Sequence, residues 1–225
     1  MKRRTFAIIN ILAMMLLTSC NKKEIRSDIA EFIASFSVEA AVEAYKKTEF
    51  NKTQTVNKDG DKTVTIETIN FDVTDPYNPQ YHRETLKYVN DVLTESTDQY
   101  IKHENDQFFM VINEVEYDYD LEKCHDLIRQ FFYKNTYIDG TYHTDGYYYG
   151  DIVKGSIEDT QEFMTVDEET ELLTFSYCKN STVQGEEVRE CSTFKVDKLG
   201  MLTYNLASAI TPTKSAVTEI VITKK

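Results

Sequence analysis

From residue 47 to the end, the chain is built of short Thr-, Val-, Ile- and aromatic-rich runs cut by clusters of Asn, Asp and Gly. The runs "TEFNKTQTV", "KTVTIETINFDV", "ELLTFSYC", "VRECSTFKV", "GMLTYNLA" and "AVTEIVITKK" have the period-2 character and β-branched content of strands. Asn57 to Asp61 reads as a hairpin turn, "DPYNP" at 75–79 as a turn, and "DQYIKHENDQFFMVI" as a second hairpin turning at Glu104 to Asp106. Further breaks fall at Asp145-Gly146, Asp167 to Thr170 and Asp197 to Gly200, so "TYHTDGYYYGDIV" and "QEFMTV" join the strands. Residues 80–92 fit a strand or a helix. Val64 and Ile66 have one parity and Ile69, Phe71 and Val73 the other, which predicts a bulge near Glu67-Thr68. Because strand follows strand, without regular alternation with helices, the sheet must be antiparallel.

Two segments have the helical period instead. Ile29, Phe32, Ile33, Phe36, Ala40 and Ala44 recur at three- and four-residue steps to about Lys46, with Asp28 and Glu31 spaced as a capping box and a potential break at Ser35 to Ser37. Leu121, Cys124, Leu127, Ile128, Phe131 and Phe132 mark a second helix from Asp120 to about Asn135. The expected class is α+β: an antiparallel meander with an N-terminal helix and one interposed helical segment.

The start of the chain follows another logic. Lys2, Arg3 and Arg4 precede an apolar run from Phe6 to Leu17, interrupted only by Asn10. This is the anatomy of a secretory signal, and at about 12 residues it is too short for a hydrocarbon core that needs roughly 20. The run ends in Leu17-Thr18-Ser19-Cys20, which resembles the lipobox of bacterial lipoproteins. That resemblance implies cleavage before Cys20, lipidation of its thiol, and a location at the extracytoplasmic face of a cell membrane. Asn21 does not settle which membrane is meant. The organisation expected is a signal peptide over 1–19, a lipidated tether over 20–27 and one β-rich domain over 28–225. Residues 21 to 27 reach about 25 Å when extended, so the domain sits close to the bilayer. Lys22, Lys23 and Arg26 form a small basic collar beside the anchor.

Removing residues 1–19 takes away three bases and no acid, moving the net charge from −13 to −16. Such a chain is repelled by nucleic acid and anionic headgroups. With 41% apolar residues, 15 Tyr and 12 Phe it can build a packed core. The order of elements resembles that of the LolA/LppX-like lipid carriers, whose strongly curved half-barrel sheet wraps an apolar cavity closed by helices. The resemblance implies a tethered protein binding an apolar or amphiphilic ligand in a concave sheet. No ligand-binding residue can be matched to that group, so none is assigned. The competing readings are an interaction or structural lipoprotein without a small ligand, and an envelope hydrolase, which requires a polar cleft with convergent titratable groups.

Motifs for chemistry are sparse. His82, His103, His125 and His143 fall on different elements with no His or Cys partner at ligand spacing, and adjacent Cys124-His125 diverge by about 100° on a helix. Asn57-x-Asp59-x-Asp61 has oxygen ligands at alternating positions, but Thr68 stands where a calcium loop needs an acid. No metal, cofactor or catalytic residue is therefore expected. Tyr147, Tyr148 and Tyr149, read on a strand, serve cross-strand packing or, alternatively, ligand stacking. Asn180-Ser181-Thr182 has the form of a glycosylation site, a signal bacteria generally do not read.

The remaining cysteines predict a register. If Gln184-Gly185 is a two-residue loop, opposed residues have numbers summing to 369, and Cys178 faces Cys191. The same register puts Leu173 and Phe175 opposite Val196 and Phe194 on an apolar face. Thr174, Ser176, Thr193 and Lys195 then share the polar face with the cysteines. A Cys178–Cys191 disulfide follows, leaving Cys124 a buried free thiol.

Overall fold

A computed structural model describes residues 24–132, 136–138, 141–143, 146–183 and 185–225. Residues 1–19, where a signal peptide is expected, and Cys20, Lys22, Lys23 and Gln184 lie outside the described residues.

The N-terminal helical pattern resolves into α1 (Ser27–Ile33) and α2 (Val38–Ala44), broken at 34–37. Ser37 caps α2 by accepting from the Ala40 amide at 3.2 Å. The expected capping box at Asp28 does not form. Helix α1 starts one residue earlier, and Asp28 inside its first turn pairs with Arg26. Arg26 is correspondingly no free member of a basic collar. Its amide donates to Gln161 Oε1 at 2.9 Å and its guanidinium to the Met164 carbonyl at 3.0 Å, fastening the start of the described chain to the fold.

The strands are β1 (Lys47–Lys58), β2 (Asp61–Asp72), β3 (Gln80–Val89), β4 (Val92–Glu104), β5 (Gln107–Ile112) and β6 (Val115–Tyr119). After α3 (Leu121–Phe131) come β7 (Thr136–Ile138) and β8 (Thr141–His143), which pair as a separate ribbon, then α4 (Gly150–Thr160). The chain finishes with β9 (Met164–Asp167), β10 (Leu172–Val183), β11 (Glu186–Asp197), β12 (Leu202–Ile210) and β13 (Ser215–Lys224). Eleven strands make one open, strongly curled antiparallel sheet in the order β6-β5-β4-β3-β2-β1-β13-β12-β11-β10-β9. Two meanders thus meet where β1 pairs with β13.

While the longer segment 73–79 joins β2 to β3, the other four of the five turns of the first meander are two-residue loops whose residues all have positive φ: Asp59-Gly60, Asn90-Asp91, Asn105-Asp106 and Asn113-Glu114. This is the geometry that matches the twist of flanking strands, and Asn, Asp and Gly tolerate it best. Residues 80–92 are accordingly a strand and a turn.

Two expectations change. The β1–β2 and β2–β3 registers run unbroken through Glu67 and Thr68, so no bulge lies there. Bulges occur instead at Thr94 and Thr203, and in each the threonine hydroxyl donates to the carbonyl of the lysine it displaces, Lys87 at 3.1 Å and Lys195 at 3.2 Å. The second change concerns "TYHTDGYYYGDIV", whose last residues are helical. Ile152, Val153, Ser156 and Ile157 are buried along one side of α4, so burial of that face overrides the β-propensity of the run. Tyr148 makes only a single bridge, to Met201, and Tyr149 stands at the helix N-cap.

The core gathers at one end of the sheet. Phe50, Ile69, Phe71, Leu173, Phe175, Phe194, Val196 and Ile222 project from the inner face into Ile128, Phe131, Ile152 and Ile29 of the helices. Phe131 lies 4.3 Å from Phe50 and 5.5 Å from Phe71, ring centre to ring centre. Asp120 caps α3, accepting from the Lys123 amide at 2.8 Å, and Cys124 on that helix is buried and free. Cys178 and Cys191 are disulfide-bonded in the expected register, with Ser176 and Thr193 hydroxyls 2.8 Å apart on the same face.

Candidate functional site

Pairing fixes which side chains share a face. On the inner face, the row Phe50–Ile69 belongs to the core, and the next row places Lys52 directly opposite Glu67. Lys52 Nζ lies 2.6 Å from Glu67 Oε2, while Arg83 on β3 bonds the other carboxylate oxygen. Glu67 is nearly fully buried and Lys52 largely so, whereas Arg83 is more exposed. Burial pushes the Glu67 carboxyl upward, but the ion pair with Lys52 and the hydrogen bond from Arg83 outweigh it and hold the group below its ordinary range. Two cations stand against one carboxylate, and the Arg83 Nε is buried without a hydrogen-bond partner. Tyr147 covers the cluster, its ring 5.6 Å from Lys52 Nζ and 4.5 Å from the Phe131 ring. The inner wall therefore passes from aromatic core to buried charge within one strand row. The Lys52–Glu67 row continues through Thr85 and Thr97, and the next inner-face row places Gln54 opposite Thr65.

At the rim of the core, Asp197 accepts from the Tyr45 hydroxyl at 2.8 Å and from the Leu199 and Met201 amides, and it pairs with Lys224. Desolvation pushes the Lys224 ammonium downward, only partly offset by Asp197. This cluster ties α2, the β11–β12 turn and β13 together and has a structural role.

The outer face carries a groove of about 1020 Å³ across β1 to β4. Glu49, Asn70, His82 and Tyr100 form one row along it, linked by strand pairing. Asn51 donates to Glu49 at 2.7 Å, and this bond together with Lys225 holds the Glu49 carboxyl below its ordinary range. Asp72, bonded by Thr74 and Lys47, lies at about 2. His82 Nε2 is 2.6 Å from Asp98 Oδ1, and the His103 ring contacts Asn78 Oδ1 at 3.2 Å. Titratable groups thus line the groove: Glu49, Asp72, His82, Asp98 and His103. Its aliphatic hydroxyl, on Thr48, is engaged with the Lys225 carbonyl at 2.8 Å.

The structure separates the histidines as expected, onto β3, β4, α3 and β8. It nevertheless gives His82 carboxylate neighbours that one-dimensional spacing missed, Glu84 two residues away and Asp98 on the next strand. The Asn57-x-Asp59-x-Asp61 segment is a hairpin turn, with Asp59 Oδ1 accepting from the Ser215 amide. Cys124 is held up to about 11, chiefly by burial and then by Asp120. No helix among the described residues is long and apolar enough to cross a membrane.

No family model and no curated protein matches the chain. It is similar to the crystal structure of a beta-barrel-like protein of the domain of unknown function DUF1849 from Brucella abortus, at 11% identity over 80% of this chain and 83% of that one, with a TM-score of 0.26. It is also similar to LprF from Mycobacterium bovis, at 8% identity over 89% of this chain and 94% of that one, with the same TM-score of 0.26. Neither likeness bears on the sites described above.

Proposed function

We propose that this protein is a lipid-anchored extracytoplasmic binding protein, tethered through Cys20, which takes an amphiphilic ligand with an anionic head on the inner face of its sheet. The observation that carries this reading is the inner wall itself. An aromatic cluster borders a buried charge cluster with one cation in excess, in a chain whose net charge is −13. An anionic head supplies the partner that Arg83 Nε lacks, and Tyr147, spanning Phe131 and Lys52, bridges the two environments. A purely apolar ligand leaves that charge uncompensated, so the amphiphilic form of the expectation is favoured. The test is native mass spectrometry of protein extracted in mild detergent, with titration of a fluorescent fatty acid. A bound anionic amphiphile, with affinity reduced at least about tenfold in Arg83→Gln, supports the assignment. Absence of both bound lipid and saturable binding rejects it.

A second reading, docking of a protein partner, is favoured by β6. It is an edge of the sheet, and its Val115 and Tyr117 are half-exposed. Crosslinking in cells from a photoreactive residue placed at Tyr117 would capture such a partner repeatedly.

A further inference from the structure

On the outer face, Glu84 and Asp98 are directly opposed across β3 and β4. Like charges so placed destabilise a sheet. Elsewhere facing charges are matched: Lys52 with Glu67, Lys87 with Glu95, Lys179 with Glu190. Here no lysine or arginine intervenes. Among the described residues Glu84 has no ion-pair partner, and Asp98 has only the His82 ring. His82 and Glu84 are two residues apart on one strand and so share a face. One donor atom from each of the three residues lies within 4.8 Å of the others. Zinc bound at 2.0–2.2 Å holds its ligands roughly 3–3.6 Å apart in tetrahedral geometry, so a small side-chain adjustment closes the set. The Tyr100 ring, edge-on to His82 at 6.1 Å, restricts the imidazole.

We infer that His82, Glu84 and Asp98 form a site for one divalent cation of the zinc class. A cation there turns an opposed acidic pair from a repulsion into a ligand set, which is the physical reason for tolerating it. One imidazole and two carboxylates suit zinc or its borderline neighbours better than calcium, which prefers six or more oxygens. His82 and Asp98, two of the three ligands, also line the outer groove. The site is separate from the inner-face cluster and independent of the amphiphile assignment.

The test is calorimetric titration of the full-length, untagged protein in detergent with zinc chloride. One equivalent is expected, with His82→Ala and Asp98→Asn each weakening binding at least about tenfold and His125→Ala leaving it unchanged. Glu84→Gln supplies a readout that a folding defect cannot mimic: without metal it melts above the native protein, because the like-charge pair is gone, and zinc no longer raises its melting temperature. Absence of zinc binding, unaltered stoichiometry and affinity in His82→Ala and Asp98→Asn, or an equal zinc-induced shift in Glu84→Gln, overturns the site.

Discussion

Replacing Glu67 with Gln keeps the shape of the side chain and removes the one carboxylate among the described residues that pairs with Lys52 and Arg83. Lys52, 15% exposed, is then left buried without its counter-charge, while Arg83, 38% exposed, can recover part of its solvation. Breaking a buried pair costs about 3–5 kcal/mol, and the partial exposure of Arg83 places this substitution near the lower end, about 3 kcal/mol. For a chain of this size that is a fall in Tm of roughly 6–12 °C. In a Lys52→Met background the same substitution strands only Arg83 and should cost about half as much, giving a coupling of about 1.5 kcal/mol. Thermal unfolding followed by circular dichroism, with the disulfide intact, measures the cycle. The pH dependence has a defined sign. The folded carboxyl lies below its ordinary 4.5, so its contribution is present above that value and is lost as pH falls through the folded value. Glu67→Gln should flatten that part of the acid limb. A coupling indistinguishable from zero, or an unchanged acid limb, would refute the account of a buried, mutually compensated cluster.

Removing the disulfide with Cys178→Ser and Cys191→Ser should lower stability in urea by less than about 3 kcal/mol, because twelve paired positions already hold the hairpin; a larger loss would mean that the bridge, not the pairing, sets the register. Gly200→Ala should cost about 1–3 kcal/mol, since its φ is +80° and a Cβ there would sit 3.0 Å from Gly150 Cα and 3.1 Å from the Tyr148 ring. Gly60→Ala, with a φ of +95° but open space, should cost only the conformational part, about 1 kcal/mol; equal losses would refute the packing argument. Cys124, buried and held up to about 11, should resist iodoacetamide at pH 8 in the native state and react in urea, as peptide mass spectrometry would report.

What could be read from the sequence depended on how local the determining physics was. The β10–β11 register followed from one turn and the alternation of Leu173, Phe175, Phe194 and Val196, and the structure reproduces each of those pairs. The turns at Asn57 to Asp61 and Glu104 to Asp106 were legible for the same reason, since positive φ suits Asn, Asp and Gly themselves, whereas Asn90-Asp91 and Asn113-Glu114 were not read. The helix at Gly150–Thr160 was not. Its two glycines and β-branched Ile152 and Val153 argue locally against a helix, and only the buried face formed with the sheet decides for it. The missing bulge at Glu67 has a similar origin. Parity placed Val64 and Ile66 on the opposite face from Ile69 and Phe71, and the assumption that all four seek one core required a slip. The core in fact covers one end of the sheet only, so Ile66 can remain on the outer face, 38% exposed, while Glu67 turns inward to meet Lys52.

The outer site shows how far a register error would propagate. His82 and Glu84 share a face only if residues 80–92 are a strand; on a helix they would point about 200° apart. Even granting the strand, the Asn90-Asp91 turn alone pairs Val89 with Val92, and a continuous ladder from that pair would set Glu84 against Thr97 and turn Asp98 to the inner face. Thr94 prevents this. As the extra residue in β4 it shifts every later pair by one, so that Glu84 meets Asp98, and its hydroxyl bond to the Lys87 carbonyl fixes the bulge in place. Deleting Thr94 should therefore abolish zinc binding without touching any of the three ligands. Thr94→Val, which keeps the residue count but removes the hydroxyl bond, should retain it with reduced stability. Zinc affinity unchanged by the deletion would show that the ligands are brought together by something other than the register of β3 and β4.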